Sequence, residues 1–312
     1  MGYPESFHEI ARSINNWGRW GDDDEIGTIN LITPDVVRHA ATLVRTGKTF
    51  ALGLPLSQAE GIQTGIIPGR VNPLRTMVAL NSGMTGDPTD FATSDDVVTM
   101  GLQAGTHWDG LGHATYDGRL YNGFGADSIT VDGATRCGIH KITSLISRGV
   151  LLDVARAKGV DVLEPDYFVR DTDLDAAAEM GEVEIRPGDI VLVRTGQMRH
   201  IVGPEPRDLW KYALNTPGVT PSVARWNHRH DVAAMATDTL TFETFPAEDP
   251  AMLLPVHLLH LVEMGLTQGQ NWNLEALAAD CAEDGVYEFL LDATPQPFTN
   301  AVGSMVNPIA VK

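Results

Sequence analysis

Residues 103–113 constrain this chain more than any other stretch, because they place two histidines, one aspartate and one side-chain amide within eleven positions. Apolar and polar side chains alternate over residues 98–109, which predicts a half-buried β-strand. Side chains two positions apart lie on one face of a strand, about 6–7 Å from each other. Three polar side chains would therefore point in one direction: Gln103, His107 and Asp109. The Gly-Leu-Gly turn that follows can fold His113 back toward them.

Two interpretations of this run stay open. A buried histidine that is paired with an aspartate is more often structural than catalytic when it occurs alone. The glycines at positions 105, 110 and 112 favour a site, because glycine removes side chains that would crowd a bound ion and packing alone does not require it there. We therefore expect the run to form a functional site.

Composition excludes several classes of function. The formal net charge of −19 disfavours binding to nucleic acid or to an anionic membrane surface. No apolar run approaches the roughly 18 residues of a membrane span, and the N-terminus lacks the pattern of a signal peptide. Two cysteines, Cys137 and Cys281, cannot build a disulfide framework. These features predict a cytoplasmic protein.

The remaining sequence predicts an α/β organisation. Apolar runs at residues 149–154, 190–195 and 232–236 are typical of buried strands. Thr33 and Pro34 predict the start of a helix that Gly47 ends. Residues 57–72 and 81–93 are expected to be loops. The glycine-rich motifs of nucleotide-binding sites and the G-x-S-x-G motif of serine hydrolases are absent from the sequence.

The run 103–113 resembles the H-x-G-T-H-x-D-x-P-x-H signature of the cyclase family of metal-dependent hydrolases, which includes bacterial kynurenine formamidases and isatin hydrolases. The matching positions are Gly105, Thr106, His107, Asp109 and His113. Gln103 stands in place of the first histidine, and Leu111 in place of the proline. The resemblance extends to the longer bacterial members at residues 16–31, 187–196 and 302–308.

The resemblance implies a fold and a metal site. It implies an N-terminal arm, residues 1–32, and one α/β domain, residues 33–312. In that domain a central mixed β-sheet or barrel-like β core of the swivelling β/β/α type is flanked by helices. His107 and Asp109 would bind one divalent metal, Mn²⁺ or Zn²⁺, with Gln103 as a further ligand position, and His113 would be the catalytic base.

A second metal is not expected. Some members of the family hold one with a downstream His and Glu, and the matching positions here are His257 and Gln270. An amide oxygen binds a hard cation without contributing charge, so Gln103 and Gln270 predict weaker metal binding than a His and a Glu would give. His257 and Gln270 thus remain candidates for a second metal or for supporting contacts, and His260 is a further candidate for such a contact.

The predicted function is hydrolysis of a C–N or C–O bond in a cyclic amide, a lactone or an aryl amide. Two alternatives stay open: a metal-poor member that binds a small ligand without turnover, and a metal-dependent lyase or dehydratase. Candidate substrate contacts are Trp108, Tyr121 and Asn122, although core packing is as good an explanation for Trp108. The expected partners are a small-molecule substrate and further copies of the chain, in a homodimer or homotetramer, because the two tryptophans of the arm are costly to expose.

Overall fold

A central β-sheet is the framework of the protein. We describe it from a computed structural model that covers residues 2–87 and 89–312. The strands of the described residues are β1 Thr49–Ala51, β2 Leu74–Gly83, β3 Ala92–Thr99, β4 His107–Asp109, β5 Ile129–Thr130, β6 Gly133–Ala134, β7 Ile146–Asp153, β8 Phe168–Val169, β9 Ile190–Arg194, β10 Gly218–Val219, β11 Ala234–Thr237, β12 Thr267–Gln270, β13 Glu288–Asp292, β14 Gly303–Met305 and β15 Ile309–Val311.

Nine of the strands in the described part of the chain form one curled sheet in the order β1-β15-β13-β7-β9-β11-β12-β4-β14. Neighbours from β7 to β12 are parallel, whereas the pairs toward both edges are antiparallel. The sheet is therefore mixed, and its parallel centre is covered by helices on both faces, as parallel strands require.

Helices pack against both faces of this sheet. The α-helices of the described residues are α1 Glu5–Ile14, α2 Pro34–Ala41, α3 Val154–Ala157, α4 Asp171–Met180, α5 Arg199–Val202, α6 Leu209–Ala213, α7 Pro221–His230, α8 Pro255–His257 and α9 Glu275–Asp284. A π-helix, Leu258–Met264, continues α8 directly. Short 3₁₀ turns lie at Gly27–Leu31, Tyr121–Gly123, Ala126–Ser128 and Ile139–Lys141.

Alternating side chains divide the core into two layers. In β9, Val191 and Val193 face the layer that contains α1, α4 and α7, whereas Ile190 and Leu192 face the layer that contains α9. All four side chains are completely buried. The prediction of an α/β domain with a mixed sheet flanked by helices is confirmed.

The N-terminal segment packs on the body of its own chain. Asn16 N donates to Glu263 O at 3.0 Å, and Trp17 Nε1 donates to Val262 O at 2.8 Å. Both acceptors belong to the π-helix, so the segment lies against the element that immediately follows His257. No helix of the described residues is long and apolar enough to cross a membrane.

The predicted continuous strand over residues 98–109 is wrong at residues 100–106, because residues 98–99 end β3 and residues 107–109 form β4. The chain forms an exposed hairpin of β2 and β3, turns at residues 100–106, and enters the sheet only at His107. Gly101 N bonds to Val71 O and Ala104 N bonds to Gly101 O, and this turn interrupts the strand although the alternation continues through it. The loop that was expected over residues 81–93 is observed at residues 84–87 and 89–91, where it joins β2 to β3, and only its two ends belong to these strands.

Candidate active site

Strand β4 places two chemically active side chains on one face of the sheet. Its register aligns His107 with Gln270 and Asp109 with Gln268 of β12. Residues directly opposite each other in an antiparallel pair project to the same face. The intervening Trp108 projects to the other face, into the core layer beneath α9. His107 and Asp109 thus share a face, as the sequence predicted.

The Asp109 carboxylate is the centre of a buried polar cluster. Its exposed side-chain fraction is 0%, and Gln270 Nε2 donates to Oδ2 at 2.5 Å. Three imidazole nitrogens lie around the carboxylate: His107 Nε2 at 3.5 Å, His113 Nε2 at 3.6 Å and His257 Nε2 at 3.8 Å. The structure therefore brings together five residues that the sequence analysis had singled out: His107, Asp109, His113, His257 and Gln270.

Two buried acceptor atoms of this cluster face each other. His107 Nδ1 lies 2.8 Å from Gly105 O, which fixes the proton of a neutral imidazole on Nδ1 and leaves a lone pair on Nε2. His107 Nε2 and Asp109 Oδ1 are 3.5 Å apart, and among the described residues neither has a hydrogen-bond partner. Two lone pairs in this arrangement require a proton or a metal ion between them.

His113 is the member of the cluster that solvent reaches, since 23% of its side chain is exposed. The turn that carries it is closed by a bond from His113 N to Gly110 O. The Asp109 charge raises the pKa of His113, but burial together with His257, Arg70 and His107 lowers it below the ordinary value. His113 is accordingly a neutral imidazole at pH 7 and can accept a proton.

Asp109 stays ionised in this environment. Burial raises the pKa of its carboxyl group, but the neighbouring His113, His107 and His257 outweigh that effect and hold the pKa well below its usual range. The hydrogen bond from the Gln270 amide also stabilises this fully buried carboxylate.

The carboxylate of the buried Glu243 binds the His257 ring on the side away from Asp109. Glu243 Oε1 accepts from His257 N at 2.9 Å and lies 2.5 Å from His257 Nδ1, while Oε2 accepts from Val256 N. With the proton of Nδ1 directed at Glu243, His257 Nε2 points at Asp109 and at Gln270, whose Nε2 is 3.3 Å away. Glu243 fixes both the tautomer and the orientation of this ring.

The donor set fits a metal only in part. In residues 2–87 and 89–312 no group of three or more His, Cys, Asp or Glu side chains is arranged to hold a metal ion. His107 Nε2 and Asp109 Oδ1 are the two unpartnered donors that a cation would satisfy. The Gln103 amide lies against the neighbouring strand β14, since its nitrogen is 2.6 Å from the position of a Cβ on Gly303, the residue paired with Asp109. His107 and Asp109 alone would not fill the coordination shell of a metal ion.

The three candidate substrate contacts lie outside this cluster. Trp108 is fully buried, donates to Ala293 O and packs edge-to-face on Trp272. Tyr121 donates to Asp24 at 2.9 Å, and the Asn122 amide binds Gly21 O and Asp24 O. Tyr121 and Asn122 thus hold the N-terminal segment in place. His260 also lies apart, 3.1 Å from the Asn227 amide.

Packing accounts for two glycines of the motif, contrary to the expectation from the sequence. A Cβ on Gly110 would lie 3.0 Å from Val302 O, and one on Gly112 would lie 3.1 Å from Cys137 O. Both positions are close approaches between backbone segments that a side chain would obstruct. These glycines therefore do not distinguish a metal site from a packed turn.

Sequence reasoning missed one residue of the cluster, Glu243. Glu243 reaches His257 across 14 positions of the sequence. No local pattern marks this residue, because it acts through a tertiary contact alone.

The comparisons with known proteins identify the family of this chain. Residues 9–244 match the model of a family described as "Putative cyclase". A solved structure described as a novel cyclase is 37% identical, with a TM-score of 0.86 over 97% of this chain and 99% of that one. The chain belongs to this cyclase family. The search of curated proteins finds no match.

Two solved structures that are less similar in sequence are named for an enzymatic activity. Isatin hydrolase A from Labrenzia aggregata, bound to benzyl benzoate, is 17% identical, with a TM-score of 0.62 over 88% of this cyclase-family chain and 97% of its own. An isatin hydrolase bound to the product analogue thioisatinate is 19% identical, with a TM-score of 0.58 over 84% and 91% of the two chains. At this identity the likeness concerns the fold alone.

Proposed function

We propose that this chain is a metal-dependent hydrolase that cleaves a C–N or C–O bond in a cyclic amide, a lactone or an aryl amide. The observation that carries the proposal is the pair of buried, unpartnered acceptors, His107 Nε2 and Asp109 Oδ1, 3.5 Å apart beside a partly exposed His113. One Mn²⁺ or Zn²⁺ ion at this pair would lower the pKa of a bound water to about 7 and polarise a carbonyl.

In this proposal the other side chains transfer protons and position the substrate. His113, neutral at pH 7 and open to solvent, takes the proton of the attacking water and returns it to the leaving nitrogen or oxygen. His257, held by Glu243, presents Nε2 to the same space and is positioned to hydrogen-bond the substrate. The burial of Asp109 and His107 excludes bulk water from that side of the site.

The test combines metal content with turnover. We expect purified protein to hold about one Mn or Zn ion per chain, and Asp109→Asn to lose it, whereas the exposed control Asp95→Asn retains it. Isatin, dihydrocoumarin and formanilide represent the three substrate types. On a compound that is hydrolysed, His113→Ala should lower turnover by ~10²-fold or more without loss of metal; His39→Ala is the matched control. Normal turnover by His113→Ala would contradict its role as base.

One observation favours a second candidate, a ligand-binding protein without turnover. The Gln270 amide donates to Asp109 Oδ2 and so satisfies, without any metal, an oxygen that a cation would otherwise stabilise. Absence of stoichiometric metal after reconstitution, together with no hydrolysis of any of the three compounds, would favour this candidate. Incorporation of ¹⁸O from labelled water into a product would favour the hydrolase over both this candidate and a lyase.

A further inference from the structure

Asn271 follows β12 directly and lies beside the turn that leads into β4. It is fully buried, and its φ of 62° is in the left-handed region, which asparagine adopts more readily than most residues. Its backbone is bound at both ends: Asn271 N donates to Thr239 O at 3.0 Å, and Asn271 O accepts from Thr106 Oγ1 at 2.6 Å. The residue is thus held at a fixed place next to the motif that carries His107.

The Asn271 side chain has a single orientation that satisfies its contacts. Nδ2 donates to Gly105 O at 3.0 Å, and Oδ1 accepts from Tyr212 OH at 2.7 Å. A backbone carbonyl can only accept, so the amide nitrogen must face Gly105 and the amide oxygen must face Tyr212. Tyr212 belongs to α6 and is completely buried as well, so its hydroxyl holds the amide in that orientation.

The Gly105 carbonyl links Asn271 to the ring of His107. Gly105 O also accepts from His107 Nδ1, at 2.8 Å, and the two donor nitrogens, of Asn271 and His107, lie 3.4 Å apart. If Asn271 donated to Nδ1 instead, that nitrogen would turn a lone pair toward Gly105 O, and two acceptors at 2.8 Å repel each other. The ring proton is therefore on Nδ1, and the lone pair beside Asp109 is on Nε2.

We propose that Asn271 is a positioning residue for His107: it holds the carbonyl that keeps the ring proton on Nδ1, and so presents the lone pair of Nε2 beside Asp109. Loss of a contact that orients a metal-binding histidine costs about 10–100-fold in metal affinity or activity. The inference rests on the proposed function in one respect, that this lone pair binds the metal. A purely structural Asn271, required only for its left-handed φ, would have no effect on the position of the ring proton.

The variant Asn271→Gly separates these two roles, because glycine adopts a left-handed φ readily and has no amide. The readout is the ¹⁵N spectrum of the histidine rings in metal-free protein at about pH 8.5, where histidine rings are mostly neutral. The signals of His107 are those that His107→Gln lacks. We expect Nδ1 of the wild type to carry the proton, and Nδ1 of Asn271→Gly to lose it in part to Nε2. Asn215→Gly is the matched control, since Asn215 is exposed and has a φ of 51°.

Zn²⁺ affinity, measured in competition with a chromophoric chelator, is the second readout. Asn271→Gly should bind Zn²⁺ at least tenfold more weakly than the wild type, and Asn215→Gly should match the wild type. Tyr212→Phe removes only the hydroxyl that holds the amide, and should move the ring proton in the same direction. Its control is Tyr167→Phe, which also loses one hydroxyl donor, in this case to Asp173.

A fully protonated Nδ1 in Asn271→Gly would overturn the proposal. So would a wild type in which Nδ1 lacks the proton, or a measurable Zn²⁺ affinity that is equal in wild type and Asn271→Gly. If Asn271→Gly does not fold, Tyr212→Phe decides the question, and a fully protonated Nδ1 in that variant also overturns the proposal.

The ring spectra require neither metal nor turnover, so the two proposals fail separately. A ring proton that depends on Asn271, in a protein that binds no Zn²⁺ and hydrolyses nothing, leaves the positioning role and removes only the metal-dependent hydrolase. Hydrolysis by a protein whose ring spectra are unchanged in Asn271→Gly leaves the hydrolase and removes the role of Asn271.

Discussion

At the scale of single residues, the sequence predicted the centre of the site but not its supports. His107, Asp109 and His113 lie within one short run, so local spacing was sufficient to group them. His257 and Gln270 followed from the family resemblance, and the structure places both beside Asp109. Glu243 could not be predicted, because only the folded chain brings it to His257.

If the Asp109 cluster binds a metal as proposed, Gln270 should limit the affinity for it. In Gln270→Glu, a second carboxylate replaces the amide that now donates to Asp109 Oδ2. Two adjacent carboxylates repel each other without a cation and attract one strongly. We expect Zn²⁺ affinity to rise at least tenfold in competition with a chromophoric chelator, and the melting temperature to fall in excess chelator. Gln58→Glu makes the same charge change at an exposed position, and a Zn²⁺ affinity matching that control would refute the prediction.

Glu243 orients the His257 ring and also stabilises the fold. Its carboxylate accepts from Val256 N, His257 N and His257 Nδ1. In Glu243→Gln the amide nitrogen cannot accept, so at least one buried N–H loses its partner, which costs about 1–3 kcal/mol. Urea unfolding should show this loss, with the partly exposed Glu248→Gln near the wild type. An unchanged free energy of unfolding would mean that water or a rearranged loop replaces the carboxylate.

At the scale of secondary-structure elements, buried strands were predicted more accurately than exposed segments. The strand expected at residues 190–195 is observed at Ile190–Arg194, since a continuous apolar run buried on both faces has few alternatives. The alternating run at residues 98–109 was misleading, because a turn can preserve alternation while breaking the strand. The helix begins after Thr33 as predicted but ends at Ala41, where Thr42 Oγ1 bonds back to His39 O.

The turn after β4 tolerates no added side chain at Gly112. A Cβ there would lie 3.1 Å from Cys137 O and 3.2 Å from Ala134 Cβ. Gly112→Ala should therefore lower the free energy of unfolding by about 1–3 kcal/mol through overpacking. Thermal and urea unfolding measure the change, and Gly2→Ala, which meets nothing within 4 Å, is the control. Equal stability of the two variants would show that the turn can shift.

At the scale of the whole molecule, a buried histidine links stability to pH. Burial, and secondarily the charge of His257, lowers the pKa of His260 to about 3. Because the unfolded chain binds a proton near pH 6.5 and the folded chain does not, stability is lost as the pH falls below 6.5. One such group removes roughly 3 kcal/mol between pH 6.5 and pH 4.

The variant His260→Gln isolates that contribution. We expect its free energy of unfolding to fall less than that of the wild type between pH 7 and pH 4 in urea titrations. His39→Gln, at an exposed position, should follow the wild type. Parallel curves for wild type and His260→Gln would show that other groups cause the acid sensitivity.

The register of β14 has a consequence for how the protein is made. Gly303 pairs with Asp109, and its lack of a side chain leaves room for the Gln103 amide. A ribosome adds residue 303 long after it has added residue 109, so a nascent chain carries His107, Asp109 and His113 before β14 exists to pair with β4. The sheet around these side chains is thus complete only after residue 303 has been synthesised and has paired with residue 109.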